Sequence, residues 1–398
     1  MRPAMSREQL LHEAASLMLD FAERTGLTSA RPQQRYLWTD SFAVANFVTL
    51  ARATGEARYS ELALRLVEQV HHVLGRHRED DSRTGWISGL SAQDGELHPT
   101  QGGLRIGKRL AERRPGEPFD ERLEWDRDGQ YFHYLTKWMH ALDQVSLWTR
   151  QPHLNRWARE LAEVAHAAFV RESPRQTRRQ MVWKLSIDLS RPLVPSMGQH
   201  DPLDGFITCV ELQTTASLLS RTPSGPSLEA AVADFSTMIE DRQWGTADPL
   251  GLGGLLVDAS RVEQLMRLGA PVGDTLLEDL LAAAVQGLAH YSRQGDLLQS
   301  PSGRLAFREL GLAIGLFSIE AIGTRSGAML RPLSSSAVAE LEALRRYAAL
   351  GSAIVAFWLD PEHRQNRTWV DHRDINEVML ATSLGIERTG ASAPAELA

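Results

Sequence analysis

Glu124-Trp125-Asp126-Arg127-Asp128-Gly129-Gln130-Tyr131-Phe132-His133-Tyr134 is the stretch from which the fold can be read. It sets three carboxylates and four aromatic rings directly before a helical run. Asp128-Gly129 is a turn signal, and Tyr131, Leu135, Trp138, Leu142 and Val145 recur at helical spacing. The carboxylates therefore fall at or just outside a helix N-terminus, where open N–H groups and the helix dipole favour negative charge. Such a cluster is either an acidic cap or the ring-lined mouth of a pocket. The chain repeats the arrangement, and the repetition favours the second reading.

Working outward, the periodicity predicts twelve helices. Those over 41–54, 131–149, 205–219, 249–268, 302–323 and 374–384 are apolar almost all round, the pattern of buried helices. Those over 7–24, 57–74, 154–169, 227–241, 273–291 and 335–359 are mostly amphipathic, and Gly351-Ser352 marks a break in the last. A weak internal repeat aligns 54–63 with 149–158 and keeps register as far as His71 with His166. It joins a buried helix to an amphipathic one both times, the signature of repeated helical hairpins. Twelve alternating inner and outer helices close into two concentric rings. The fold class is thus all-α, an (α/α)6 barrel over 1–388, with inner-helix N-termini at one end. Residues 181–189 read as a short strand or extended loop and 389–398 as a disordered tail.

Composition bounds the function. The 398 residues carry a net charge of −7, with a pI near 6.0, and no basic stripe that would call for nucleic acid. Cys209 is the only cysteine and lies in an apolar run, as a buried inert thiol does. The N-terminus lacks the apolar core of a signal peptide, and no run is long enough to span a membrane. These features predict a cytoplasmic protein with no membrane partner.

Polar and aromatic residues gather before the apolar helices. They are Tyr36, Trp38 and Asp40; Glu124, Trp125, Asp126, Asp128, Tyr131 and His133; His200, Asp201 and Asp204; Trp244 and Asp248; Arg304, Arg308 and Glu309; and Trp369, Asp371, His372, Asp374 and Glu377. Rings and carboxylates around a concavity suit a carbohydrate, whose C–H faces stack and whose hydroxyls need acceptors. Paired carboxylates can then protonate a leaving oxygen and activate water.

At Leu37-Trp38-Thr39-Asp40-Ser41-Phe42-Ala43-Val44-Ala45-Asn46-Phe47, the Thr54-Gly55-Glu56-Ala57-Arg58-Tyr59 hairpin and the Glu124–Tyr134 block, the chain resembles the six-hairpin glycosidase-like superfamily. The resemblance is architectural, spans about residues 7 to 386, and carries over no catalytic residue. It implies either a glycoside hydrolase or, as in related barrels, a sugar 2-epimerase using histidines. A non-catalytic barrel that binds a glycan or a protein is the third reading.

For a hydrolase, the acid and base would be Asp126 or Asp128 and a carboxylate across the mouth, Asp204 or Asp374. Trp125 and Trp369 would stack on the sugar, with His200 or His372 on hydroxyls. Tyr36, Trp38, Asp40, Glu124, Tyr131, His133, Asp201, Arg308 and Glu377 complete the substrate-binding set. For an epimerase, His133, His140, His200 and His372 supply candidate bases. His133, Lys137, His140 and Gln144 form one stripe, unexpected on an inner helix unless it faces a wet lumen. No helix carries an HExxH-type pair, so no metal is expected, and no cofactor. Gly251-Leu252-Gly253-Gly254 lacks the strand of a nucleotide loop. The long segment over 76–128 is expected to act as a lid, with Arg105 and Lys108 reaching toward substrate.

Overall fold

A computed structural model describes residues 5–172, 179–240, 242–294, 296–322 and 332–389. The chain is all-α, of the helical-hairpin class read from the sequence. Its helices are α1 (Arg7–Arg24), α2 (Leu37–Thr54), α3 (Ala57–Leu74), α4 (Ala92–Leu97), α5 (Glu121–Asp126), α6 (Phe132–Thr149), α7 (Pro152–Phe169), α8 (Asp201–Leu219) and α9 (Glu229–Ile239). There follow α10 (Pro249–Arg267), α11 (Asp274–Gln294), α12 (Ala306–Glu320), α13 (Ser335–Arg345), α14 (Ala348–Leu359), α15 (Arg367–Val370) and α16 (Arg373–Thr389). The tail expected to be disordered lies almost wholly outside the described residues. No described helix is long and apolar enough to cross a membrane.

The chain divides into two compact units, a division not read from the sequence. One comprises 22–51 and 56–242, the other 1–21, 52–55 and 243–398. In the first, α6 packs on α7 and α8, and α8 on α9. The repeat is real at the level of elements: α3 and α7 are both 18-residue amphipathic helices. Gly55 and Arg150, which the repeat aligns, both adopt the left-handed conformation at φ 74° and 57°. Glycine takes it freely, whereas arginine bears a steric cost to keep the same tight turn.

In the second unit, α12 packs against α10, α14 and α16. Gly253 lies inside α10, and a Cβ there would sit 2.1 Å from the Gly311 carbonyl oxygen. The glycine run is a close crossing of two helix backbones and not a loop. The helix expected over 335–359 does break, but at Arg346-Tyr347, between α13 and α14. Gly351 lies within α14, where a Cβ would meet the Phe317 ring at 3.0 Å. Its role is close packing on α12.

Short strands position the candidate site. Tyr131 ends β1 (Gln130–Tyr131) and is the N-cap residue of α6. β2 (Lys184–Leu185) pairs antiparallel with β1, with Tyr131 opposite Lys184, and β3 (Pro192–Val194) continues the sheet. Trp183 thereby comes to lie beside the start of α6.

The segment over 76–128 is fastened along its length. The Arg105 guanidinium is buried and donates to Asp128 Oδ2 at 2.6 Å, Val73 O at 2.6 Å and Arg76 O at 2.8 Å. Leu104 N donates to Gln130 Oε1 at 2.8 Å, and Trp86 is buried under Arg76. The Arg105 guanidinium is thus a structural tie and does not reach toward a substrate.

Candidate active site

The site grows from the head of α6. His133 is half-buried, and the Trp183 indole N–H donates to its Nδ1 at 3.2 Å. In the neutral ring Nε2 therefore carries the proton. Burial lowers the His133 pKa to about 4, against a partly opposing pull from Asp204, so the ring is a neutral donor at physiological pH. Tyr131, Tyr134 and Trp183 surround it with ring centroids 5.4, 4.7 and 6.1 Å away. The Tyr36 and Tyr134 hydroxyls are 2.7 Å apart. Lys108 Nζ stands 5.4 Å from the Tyr36 ring centre, and the half-exposed Trp125 meets Trp183 edge-on at 5.1 Å.

Along α6, the stripe at His133, Lys137, His140 and Gln144 is only half-buried, while Leu135, Trp138, Met139, Ala141 and Leu142 are in the core. Two of its members bond across to α8. Lys137 Nζ donates to Asp204 Oδ1 at 2.8 Å, and His140 Nδ1–H donates to Glu211 Oε2 at 2.9 Å. The second bond leaves Nε2 as the basic nitrogen of the neutral His140 ring. Neither His140 Nε2 nor His133 Nε2 has a hydrogen-bond partner among the described residues. A histidine oriented by a carboxylate, with its other nitrogen open, is the arrangement of a general base. Asp201, at the start of α8, has its pKa raised to about 7 by burial and by the charge of Asp204.

The structure gives several predicted site residues structural work instead. Asp128 is buried and accepts from Arg105, Arg78 and the amides of Gly107, Lys108 and Gly129. Glu124 is buried between Lys184 Nζ at 3.0 Å and Arg113 Nε at 2.9 Å. Asp40 is held by Arg35 and by the Tyr36 amide, and Trp38 is packed on Phe42. Asp126 is exposed at the end of α5. Of the predicted set, His133, Tyr131, Tyr36, Trp125, Asp201 and Asp204 remain around the head of α6 and the start of α8. His200 is half-buried at the N-cap position of α8.

The other unit holds the rest. Trp369 is buried and stacked on Trp358 at 5.6 Å, a core ring with no open face for a sugar. Glu377 is buried and accepts from Arg373 Nε at 2.7 Å. His372 is exposed, edge-on to Phe307, and Asp374 is half-buried in the first turn of α16. Arg308 pairs with Asp248 at a cavity of about 450 Å³ floored by the buried Arg304–Glu309 pair.

Sequence reasoning found the α6 stripe but missed what it bonds to. Glu211 carries the signal of a carboxylate beyond the acidic first turn of α8, directly after the apolar run Phe206–Val210. Trp183 carries none, because only strand pairing brings it to His133.

No family model matches the chain, and no curated protein matches it in sequence. In structure it is similar to a cellobiose 2-epimerase from Spirochaeta thermophila DSM 6192, at 10% identity over 94% of this chain and 97% of that one, with a TM-score of 0.49. It is also similar to a D-mannose isomerase, at 12% identity over 88% of each chain, with a TM-score of 0.44.

Proposed function

We propose that the protein is a carbohydrate-active enzyme that moves a proton on the carbon beside a sugar carbonyl, as a 2-epimerase or aldose–ketose isomerase. The observation that supports this most is the His140–Glu211 pair on the half-open stripe of α6. His140 Nε2 takes the C2 proton of an open-chain sugar, and Glu211 stabilises the resulting imidazolium. Negative charge then develops on the carbonyl oxygen of the enediolate.

Helix geometry favours one neighbour for that charge. Lys137 is about 4.5 Å along the axis from His140, whereas His133 is about 10 Å away. The Lys137 ammonium, held charged beside Asp204, is the group placed to polarise the carbonyl. Neutral His133 and the rings of Tyr36, Tyr134 and Trp183 suit the far, hydroxylated end of the sugar. Return of the proton to C1, with the O2 proton passing to O1, gives the ketose; return to C2 after the enediolate has turned its other face to His140 gives the epimer.

The hydrolase reading loses support at three of its four candidate acids. Asp128 is occupied by Arg105, Asp204 by Lys137, and Asp126 stands exposed on a short helix. Incubation with a panel of reducing sugars, read by mass and chromatography, tests the proposal. An isomer of unchanged mass supports it. New reducing ends point to hydrolysis, and an unchanged panel leaves only binding.

A further inference from the structure

The polar contacts Lys137–Asp204, His140–Glu211 and Asp143–Thr215 link α6 to α8, and they differ in burial. Lys137–Asp204 and His140–Glu211 lie on the half-open stripe. The third, one turn further on, is fully enclosed: Thr215 Oγ1 donates to Asp143 Oδ2 at 2.8 Å, and Asp143 has no exposed surface. Its Oδ1 accepts from Asn155 Nδ2 on α7 at 2.8 Å. Asn155 also donates to the Leu212 carbonyl of α8 at 3.0 Å and accepts from Arg159 Nε at 3.0 Å. Arg159 in turn donates to the carbonyls of Ser224 and Pro226 beyond α8.

Partly exposed ion pairs are weak and do not fix the relative slide of two helices. A buried carboxylate does, because each lost donor leaves an uncompensated charge in the interior. Asp143 is three residues from His140, and Thr215 is four from Glu211. Any slide or rotation that broke the buried contact would separate the histidine from its carboxylate.

We infer that Asp143 and Thr215 are positioning residues: their buried bond sets the register of α6 on α8 that holds His140 Nδ1 against Glu211. The catalytic side of this inference rests on the proposed function, but the positioning itself is readable without turnover.

The test uses the full chain labelled with 15N-histidine, comparing wild type, Thr215→Val and Thr215→Ser. The His140 ring shifts report tautomer and titration. In Thr215→Val the share of Nδ1–H tautomer should fall, while Thr215→Ser keeps the wild-type pattern. On a sugar that the wild type converts, Thr215→Val should lose between about 10-fold and 100-fold in kcat with KM within about twofold. If Thr215→Val does not fold, Thr215→Cys, close in size with a weak donor, is measured in the same way. A folded variant without the hydroxyl but with wild-type His140 shifts overturns the inference. Altered His140 shifts in a protein that converts no sugar uphold the positioning and overturn the proposed function instead.

Discussion

Glu211 Oε2 accepts from His140 Nδ1 at 2.9 Å, joining α8 to the polar stripe of α6. The bond fixes which nitrogen of His140 is basic. Glu211→Gln keeps shape and a carbonyl acceptor but removes the charge that stabilises the imidazolium. Turnover should fall by about 10²-fold or more. An unchanged rate in Glu211→Gln would remove the carboxylate from the mechanism.

Asp128 yields the opposite expectation. Its carboxylate neutralises the buried Arg105 and binds three backbone amides. Asp128→Asn should cost about 3–5 kcal/mol, the usual cost of breaking a buried pair from one side. Turnover per folded molecule should be unchanged. Denaturant unfolding beside activity normalised to the folded fraction separates the two effects. A stable variant without activity would return Asp128 to the chemistry.

His71 predicts an acid limb in stability. It is buried, accepts from the Trp138 indole N–H at 3.2 Å, and has its pKa lowered from 6.5 to about 3, first by burial and then by neighbouring His72. The unfolded chain therefore binds a proton between pH 6.5 and about 3 that the folded chain refuses. Stability must fall as pH drops through that window, by up to about 1.4 kcal/mol per pH unit for one histidine. His71→Gln keeps an acceptor for Trp138 and does not titrate. Its stability curve should be shallower by about that slope, as measured by urea unfolding from pH 7 to 4. Parallel curves would show that His71 is not the group responsible.

The sequence made the helices legible because their signal is local. Apolar residues on all sides of 305–319 and a single stripe on 57–74 fix buried and half-exposed helices without any tertiary knowledge. The stripe at His133, Lys137 and His140 was legible for the same reason. Roles of individual carboxylates were not, since they depend on the residue opposite. Asp128 and Glu124 read as mouth acids, yet each meets a cation that is distant in sequence or hidden in a loop, Arg105 in one case and Lys184 in the other. The break in 335–359 was assigned to Gly351 because glycine ends helices, but here the missing Cβ serves contact with Phe317.

The central claim is proton abstraction at C2 by His140. The most direct measurement is solvent-deuterium incorporation, followed by NMR, with a convertible sugar in D₂O and with wild type and His140→Gln compared. Deuterium should enter at C2, or at C1 of the ketose, with wild type. With a folded His140→Gln, incorporation should fall by at least about 10²-fold, the scale of general-base catalysis. Conversion without deuterium uptake, or undiminished uptake in His140→Gln, would contradict the account.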